Sequence, residues 1–199
     1  MEIRLQGGDA LVLVDVQEDF VSGSLSVPGA AQIVPVLDRY IALFASRGLP
    51  VVATRDWHPG GHMSFDDCGG PWPPHCIAGT DGAQFARGLS VRPDTLVISK
   101  GMHVDRDAYS GFDGTELDVR LRKAHVARLF VGGLATDYCV LHTVRDALRH
   151  GYRVFLLVDA IRAVNREPGD GDAAIAAMLG LGAQPARIED LAPARAPHG

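Results

Sequence analysis

Apolar residues arrive in short runs of strand length, at 10–16, 50–54, 95–99, 128–131 and 153–158, and most of these runs are continuous rather than alternating. A continuous run reads as a strand buried on both faces, the condition of a parallel sheet covered by helices. Stretches with helical spacing of apolar positions lie at 31–47, 116–123 and 138–150, and another follows the last run at 172–181. Gly48, Gly151 and Gly182 stand where C-terminal helix caps belong. There the chain commonly turns left-handed, which glycine does without strain. The order strand, helix, strand, long irregular segment, strand, helix, strand, helix, strand, helix predicts an α/β doubly wound fold.

At 199 residues without a composition shift, the chain reads as one domain over 1–199. The formal charge of −5 comes without a Lys/Arg run, so nucleic acid and acidic lipid are not expected partners. The apolar runs fall far short of the ~20 residues that a membrane helix needs. No leader pattern precedes the first run, and cysteines at Cys68, Cys76 and Cys139 are too few and too odd in number for a disulfide framework. The expected location is the cytoplasm, with at least one free thiol. Residues 192–199 are expected to fray.

Sites in open parallel sheets gather beyond the carboxyl ends of strands. Asp15, Asp56, Lys100 and the 132–139 turn occupy such places. Cys139 opens the 138–150 helix, where the dipole and backbone N–H groups favour a thiolate and can form an oxyanion hole. From position alone, a small buried hydrophobe is the better reading of an arbitrary cysteine. Lys100 is one of two lysines among 19 basic residues. A compact ammonium can sit beside a thiolate where a guanidinium cannot, although a strand-end lysine reaching to solvent is the commoner case. Asp15, ending an apolar strand, needs a cation such as Lys100 if buried, or serves equally as a turn-forming residue. Together, Asp15, Lys100 and Cys139 are a base, a cation and a nucleophile.

The segment 55–90 is rich in Gly, Pro and His and lacks periodicity, as a functional loop would. It carries Asp56, His58, His62 and His75, three of the chain's 8 histidines. Mixed Asp/His sets suit Zn²⁺, Fe²⁺ or Mn²⁺; incidental histidines in a polar loop are the alternative. Cys68 and Cys76 do not have zinc-finger spacing and read as structural. Gly132-Gly133 is not a dinucleotide-binding G-x-G-x-x-G, which argues against a nucleotide-dependent oxidoreductase.

Six stretches, in order, carry a family resemblance: 14–20 (VDVQEDF), 55–59 (RDWHP), 72–76 (WPPHC), 99–101 (SKG), 109–112 (YSGF) and 132–140 (GGLATDYCV). In them the chain resembles the nicotinamidase/pyrazinamidase branch of the isochorismatase-like cysteine hydrolases. The resemblance implies a mostly parallel six-stranded sheet with helices on both faces, and a catalytic triad of Asp15, Lys100 and Cys139. It implies one divalent metal, Zn²⁺ before Fe²⁺ or Mn²⁺, on Asp56, His58 and His75, with His62 matching a fourth ligand that only some members use. By the same carry-over Phe20 and Trp72 flank a pyridine ring, Tyr109 closes the pocket, Leu134 and Ala135 also contact the substrate, and a cis peptide between these two aims the Ala135 and Cys139 N–H groups at an oxyanion. Glu18 departs from the usual Asn and adds a negative charge next to Asp15 in sequence.

The implied reaction is hydrolysis of nicotinamide, and of pyrazinamide, to the free acid and ammonia through a Cys139 thioester. The alternatives are an amidohydrolase of carbamoyl or ureido substrates, whose relatives lack the metal set, and a noncatalytic metal-binding module. The sequence leaves open a homo-oligomer, and whether the reaction would serve NAD salvage or supply of the acid.

Overall fold

The computed structural model describes residues 2–191, and the expected fraying of 192–199 lies outside them. Strands β1 (Asp9–Val14), β2 (Val51–Asp56), β3 (Leu96–Lys100), β4 (Arg128–Leu134), β5 (Arg153–Arg162) and β6 (Gln184–Ala186) form a six-stranded sheet in the order β3-β2-β1-β4-β5-β6. All five neighbouring pairs are parallel. The helices are α1 (Glu18–Val21), α2 (Val34–Ser46), α3 (Leu117–Lys123), α4 (Leu141–Arg149) and α5 (Asp170–Gly180). No helix among the described residues is long and apolar enough to cross a membrane.

Continuous apolar runs were expected to be buried on both faces, and β1 shows why. Leu11 and Leu13 join one core with Leu37, Ile41 and Phe44 of α2. Ala10, Val12 and Val14 point the other way, into a second core with Leu121 of α3, Val144 and Ala147 of α4 and Met178 of α5. Burying each large apolar side chain contributes about 1.5–3 kcal/mol, so a strand with no solvent face anchors both layers. The predicted caps hold as well. Gly48, Gly151 and Gly182 have φ of 62°, 88° and 109°. Around them Leu49 N, Tyr152 N and Ala183 N reach back to Phe44 O, Ala147 O and Met178 O at 3.0–3.1 Å, the 6→1 bond of a Schellman ending.

Local chemistry accounts for three differences. The periodicity at 31–47 divides into a 3₁₀ turn, Ala30–Gln32, and α2, because Pro35 lacks an N–H to donate and belongs in a first helical turn. Strand β6 is three residues long and contains Pro185, so it carries no apolar run and is tolerated only at the sheet edge. Cys139 does not open an α-helix. It lies in a π-type turn, Thr136–Val140, in which Val140 N donates to Ala135 O five residues back at 3.1 Å, and α4 begins only at Leu141. That turn starts where β4 passes close to β1. A Cβ on Gly133, whose φ is +125°, would stand 2.1 Å from Val14 O, so glycine is required for the approach.

Candidate active site

Strands β3, β2, β1 and β4 are consecutive in the sheet, so their carboxyl ends lie side by side. Asp56 is in register with Lys100, Asp15 follows β1, and β4 runs into the 134–139 turn. The connections reverse direction between β1 and β4, and the crevice at such a switch point is where open α/β sheets bind ligands.

Lys100 is the hub. Its Nζ lies 2.5 Å from Asp56 Oδ1, 2.8 Å from Asp15 Oδ2, 3.0 Å from Ala108 O and 3.5 Å from Cys139 Sγ. An ammonium radiates three protons from one atom and can meet such a set; a flat guanidinium cannot. Burial alone would depress the Lys100 pKa, but Asp15 and Asp56 more than offset it and hold the ammonium well above its ordinary value. Burial raises Asp15, with Lys100 opposing. Burial would also raise Asp56, yet Lys100 and His58 overcome it and hold that carboxyl below the usual range. Burial pushes the Cys139 thiol well up against the pull of Lys100. A carboxylate oxygen of Asp15 lies within 4.8 Å of Cys139 Sγ, which places Asp15 to serve that thiol as a base.

Asp56, His58 and His75 each offer a ligand atom within 4.8 Å of the others, and all three are buried. Hydrogen bonds behind them fit a metal. His58 Nδ1 meets Gly101 O at 2.9 Å and His75 Nδ1 meets Pro73 O at 2.8 Å. A carbonyl can only accept, so each Nδ1 carries a proton, and in the neutral imidazole the lone pair then falls on Nε2, the orientation usual in metal-ligating histidines. Two buried carboxylates facing one ammonium also leave a net negative charge that a divalent cation would offset.

His62, the expected fourth ligand, is arranged differently from these three. Its Nδ1 receives Ser64 N at 3.3 Å and lies 2.7 Å from Ser64 Oγ, while Nε2 meets Arg106 O at 3.1 Å. Both nitrogens are engaged, and the ring stacks on His58 with centroids 4.1 Å apart.

A cleft of about 360 Å³ opens beside these groups, walled by Phe20, Trp72, Tyr109, Ala135 and Cys139. Trp72 Nε1 donates to Tyr109 Oη at 3.1 Å, and Phe20 lies 5.5 Å from the His75 ring. The Leu134-Ala135 peptide is cis. The Leu134 side chain, grouped by sequence with substrate contacts, is instead fully buried in the core behind the turn, and Ala135 makes the wall. Leu25, Val27, Tyr138 and Val164 complete the lining and were not found from sequence. For Tyr138 the only signal was its place beside the cysteine.

Two polar residues were also missed. Gln17 is fully buried and clamps the Asp56 backbone, its Oε1 accepting from Asp56 N at 2.7 Å and its Nε2 donating to Asp56 O at 2.8 Å. Thr54, likewise buried, donates to Asp15 Oδ1 at 2.6 Å. Each is an uncharged polar residue two positions from a strand-end carboxylate, which was their signal. Glu18 faces away from the triad, its carboxylate accepting from Arg87 N at 2.5 Å and Ser22 Oγ at 3.0 Å.

Residues 9–190 match the model of the isochorismatase domain. Nicotinamidase of Escherichia coli (strain K12) is 39% identical, with 87% of this chain and 92% of that protein covered. A crystal structure of pyrazinamidase of Pyrococcus horikoshii in complex with zinc superposes with a TM-score of 0.88 at 43% identity, over 91% of this chain and 99% of that one. The structure of PnC1 from L. infantum in complex with nicotinate gives 0.90 at 34% identity, over 96% and 99%.

Proposed function

The chain belongs to the isochorismatase family, and from that premise we propose that it is a nicotinamidase, hydrolysing nicotinamide and pyrazinamide to their acids and ammonia. One observation carries the reading: Cys139, Asp15 and Lys100 meet at the wall of a small aromatic cleft, beside a buried Asp/His/His set. Relatives named nicotinamidase and a neighbour holding nicotinate support the substrate.

Asp56, His58 and His75 would hold one divalent cation, Zn²⁺ by preference, since two imidazoles and a carboxylate form a catalytic zinc set that leaves a position open. When bound, such an ion supplies a Lewis-acidic anchor for the pyridine nitrogen. Phe20 and Trp72 flank the flat ring, Tyr109 closes the cleft, and the carboxamide is presented to Sγ. Asp15 takes the thiol proton, Lys100 holds the thiolate, and sulfur attacks the amide carbon. The backbone N–H groups of Ala135 and Cys139 receive the oxyanion, a contribution of about 10²–10³ per donor. As the tetrahedral adduct collapses, Asp15 returns its proton to the departing ammonia. It then draws a proton from the water that cleaves the thioester and regenerates Sγ–H. The protein acts as one domain in the cytoplasm, and no disulfide joins Cys68, Cys76 and Cys139.

The test is ammonia release from nicotinamide and pyrazinamide by wild type beside Cys139→Ala, with metal content read on both. Release by wild type alone, with metal in both, is the expected result. No release from a folded, metal-loaded wild type would turn the reading toward another amide.

A further inference from the structure

Both oxygens of a carboxylate can accept a proton, but only one orientation serves a neighbouring thiol. At Asp15 the two oxygens are not equivalent. Oδ1 accepts the Thr54 hydroxyl at 2.6 Å, and Thr54 Oγ1 in turn accepts Asp15 N at 3.2 Å, so the pair is locked reciprocally. Oδ2 is ion-paired with Lys100 Nζ at 2.8 Å and has no hydroxyl or amide donor on it, so it is the oxygen left open to a further partner. A carboxylate oxygen of Asp15 falls within 4.8 Å of Cys139 Sγ. Asp15 and Thr54 are both fully buried, so bulk water does not compete for their hydrogen bond.

We propose that Thr54 is a positioning residue for the hydrolysis: by occupying Oδ1 of Asp15 it fixes the carboxylate plane and leaves Oδ2 as the oxygen that takes the thiol proton. This deepens the nicotinamidase reading and rests on it for the reaction, but not for the state of the thiol. Thr54 touches neither the substrate cleft nor a metal-ligating atom through its hydroxyl, so its loss is expected in kcat and not in KM or metal content. Without it the carboxylate is free to rotate toward Lys100, with Oδ1 left unsatisfied.

Thr54→Val keeps the shape and removes the hydroxyl; Thr54→Ala removes it without added bulk should the first variant fold poorly; Thr54→Ser restores it. Two measurements separate this inference from the substrate assignment. The first is kcat and KM for nicotinamide, expected to show a fall in kcat of about tenfold or more in both hydroxyl-free variants, recovery to within about threefold in Thr54→Ser, and unchanged KM. The second needs no substrate: site-resolved alkylation by iodoacetamide, with exposed Cys68 as internal reference. Cys139 is expected to react about tenfold more slowly in Thr54→Val and Thr54→Ala, and normally in Thr54→Ser, while Cys68 is unchanged. If wild type released no ammonia, the substrate reading would fail and alkylation alone would decide. Wild-type alkylation of Cys139 in the folded hydroxyl-free variants overturns the proposal. So does equal slowing in Thr54→Ser, which would trace the effect to the lost methyl group.

Discussion

Replacing Lys100 by Met keeps the length of the side chain and deletes the one cation between two buried carboxylates. Nζ contacts Asp56 at 2.5 Å and Asp15 at 2.8 Å with side-chain exposures of 0%, 6% and 0% for Lys100, Asp56 and Asp15. Breaking a buried ion pair by removing one partner costs about 3–5 kcal/mol, because the other charge is left uncompensated. At about 2–4 °C per kcal/mol for a chain of this size, the metal-free variant should melt about 6–20 °C below wild type at pH 8. The pH dependence has a definite sign. Burial already raises Asp15, and Lys100 is the main opposing influence, so its loss raises Asp15 further. A carboxyl whose folded-state pKa lies above its unfolded value of about 3.9 takes up a proton on folding, and stability falls as pH rises between the two values. Asp56, held low chiefly by Lys100 against burial, gives wild type stability above the unfolded pKa that the variant lacks. Both effects make the gap between the proteins larger at pH 8 than at pH 5. Calorimetry at the two pH values in chelator measures it, and added Zn²⁺ should recover part of the loss by restoring positive charge. Equal melting temperatures at pH 8, or a gap that widens on acidification, would refute the assignment of Lys100 as the buried counter-ion.

Other expected outcomes are independent of that one. Cys139→Ala should lower kcat by about 10⁴-fold or more while leaving the melting temperature and metal content near those of wild type, as activity beside metal analysis will show. His58→Ala should leave the dialysed protein almost free of metal, because Asp56 and His75 alone are too few ligands to retain it; full zinc content by atomic spectroscopy would remove His58 from the set. Arg128→Met should cost about 3 kcal/mol in denaturant unfolding with kcat unchanged, since Asp9, fully buried at the far end of β1, accepts two bonds of 2.5 and 2.6 Å from Arg128. A change in kcat with stability intact would show that this pair reaches the active site.

The readable part of the fold was the part written in local chemistry. Five apolar runs became five strands; in β1, β2, β4 and β5 burial on both faces leaves little polar alternation, while edge strand β3 leaves Val97 exposed. Glycines after helices marked the endings because φ > 0 is a property of one residue. What failed depended on distant partners. Nothing in Gln184-Pro185-Ala186 announces a strand; it is one because Phe155, Leu156 and Leu157 of β5 offer an edge. The lining residues Leu25, Val27 and Val164 come from two loops, far apart in the chain, whose convergence no local pattern records.

The candidate site divides along the same line, and the division explains where errors fell. Asp15, Asp56, Lys100 and Cys139 could be named because each lies at or just beyond the carboxyl end of a strand, and parallel strands in the order β3-β2-β1-β4 bring those ends together. His62 could not be judged from sequence. Its spacing from His58 is what a loop ligand would have, and only the positions of Ser64 and Arg106 O show both ring nitrogens engaged. Glu18 could not be placed from sequence either: three residues from Asp15, it lies on α1 and is drawn outward by Arg87 N. Asp15 itself has φ of +49°, so the chain turns sharply where the strand ends and sends Gln17 inward to Asp56 and Glu18 outward to the 82–87 segment. One backbone turn thus sorts three consecutive polar functions: a base, a clamp on a metal-ligating residue and a surface tether. The charge that sequence placed next to the triad is spatially removed from it, and replacing Glu18 should act on the order of the 82–87 segment before it acts on the chemistry of Cys139.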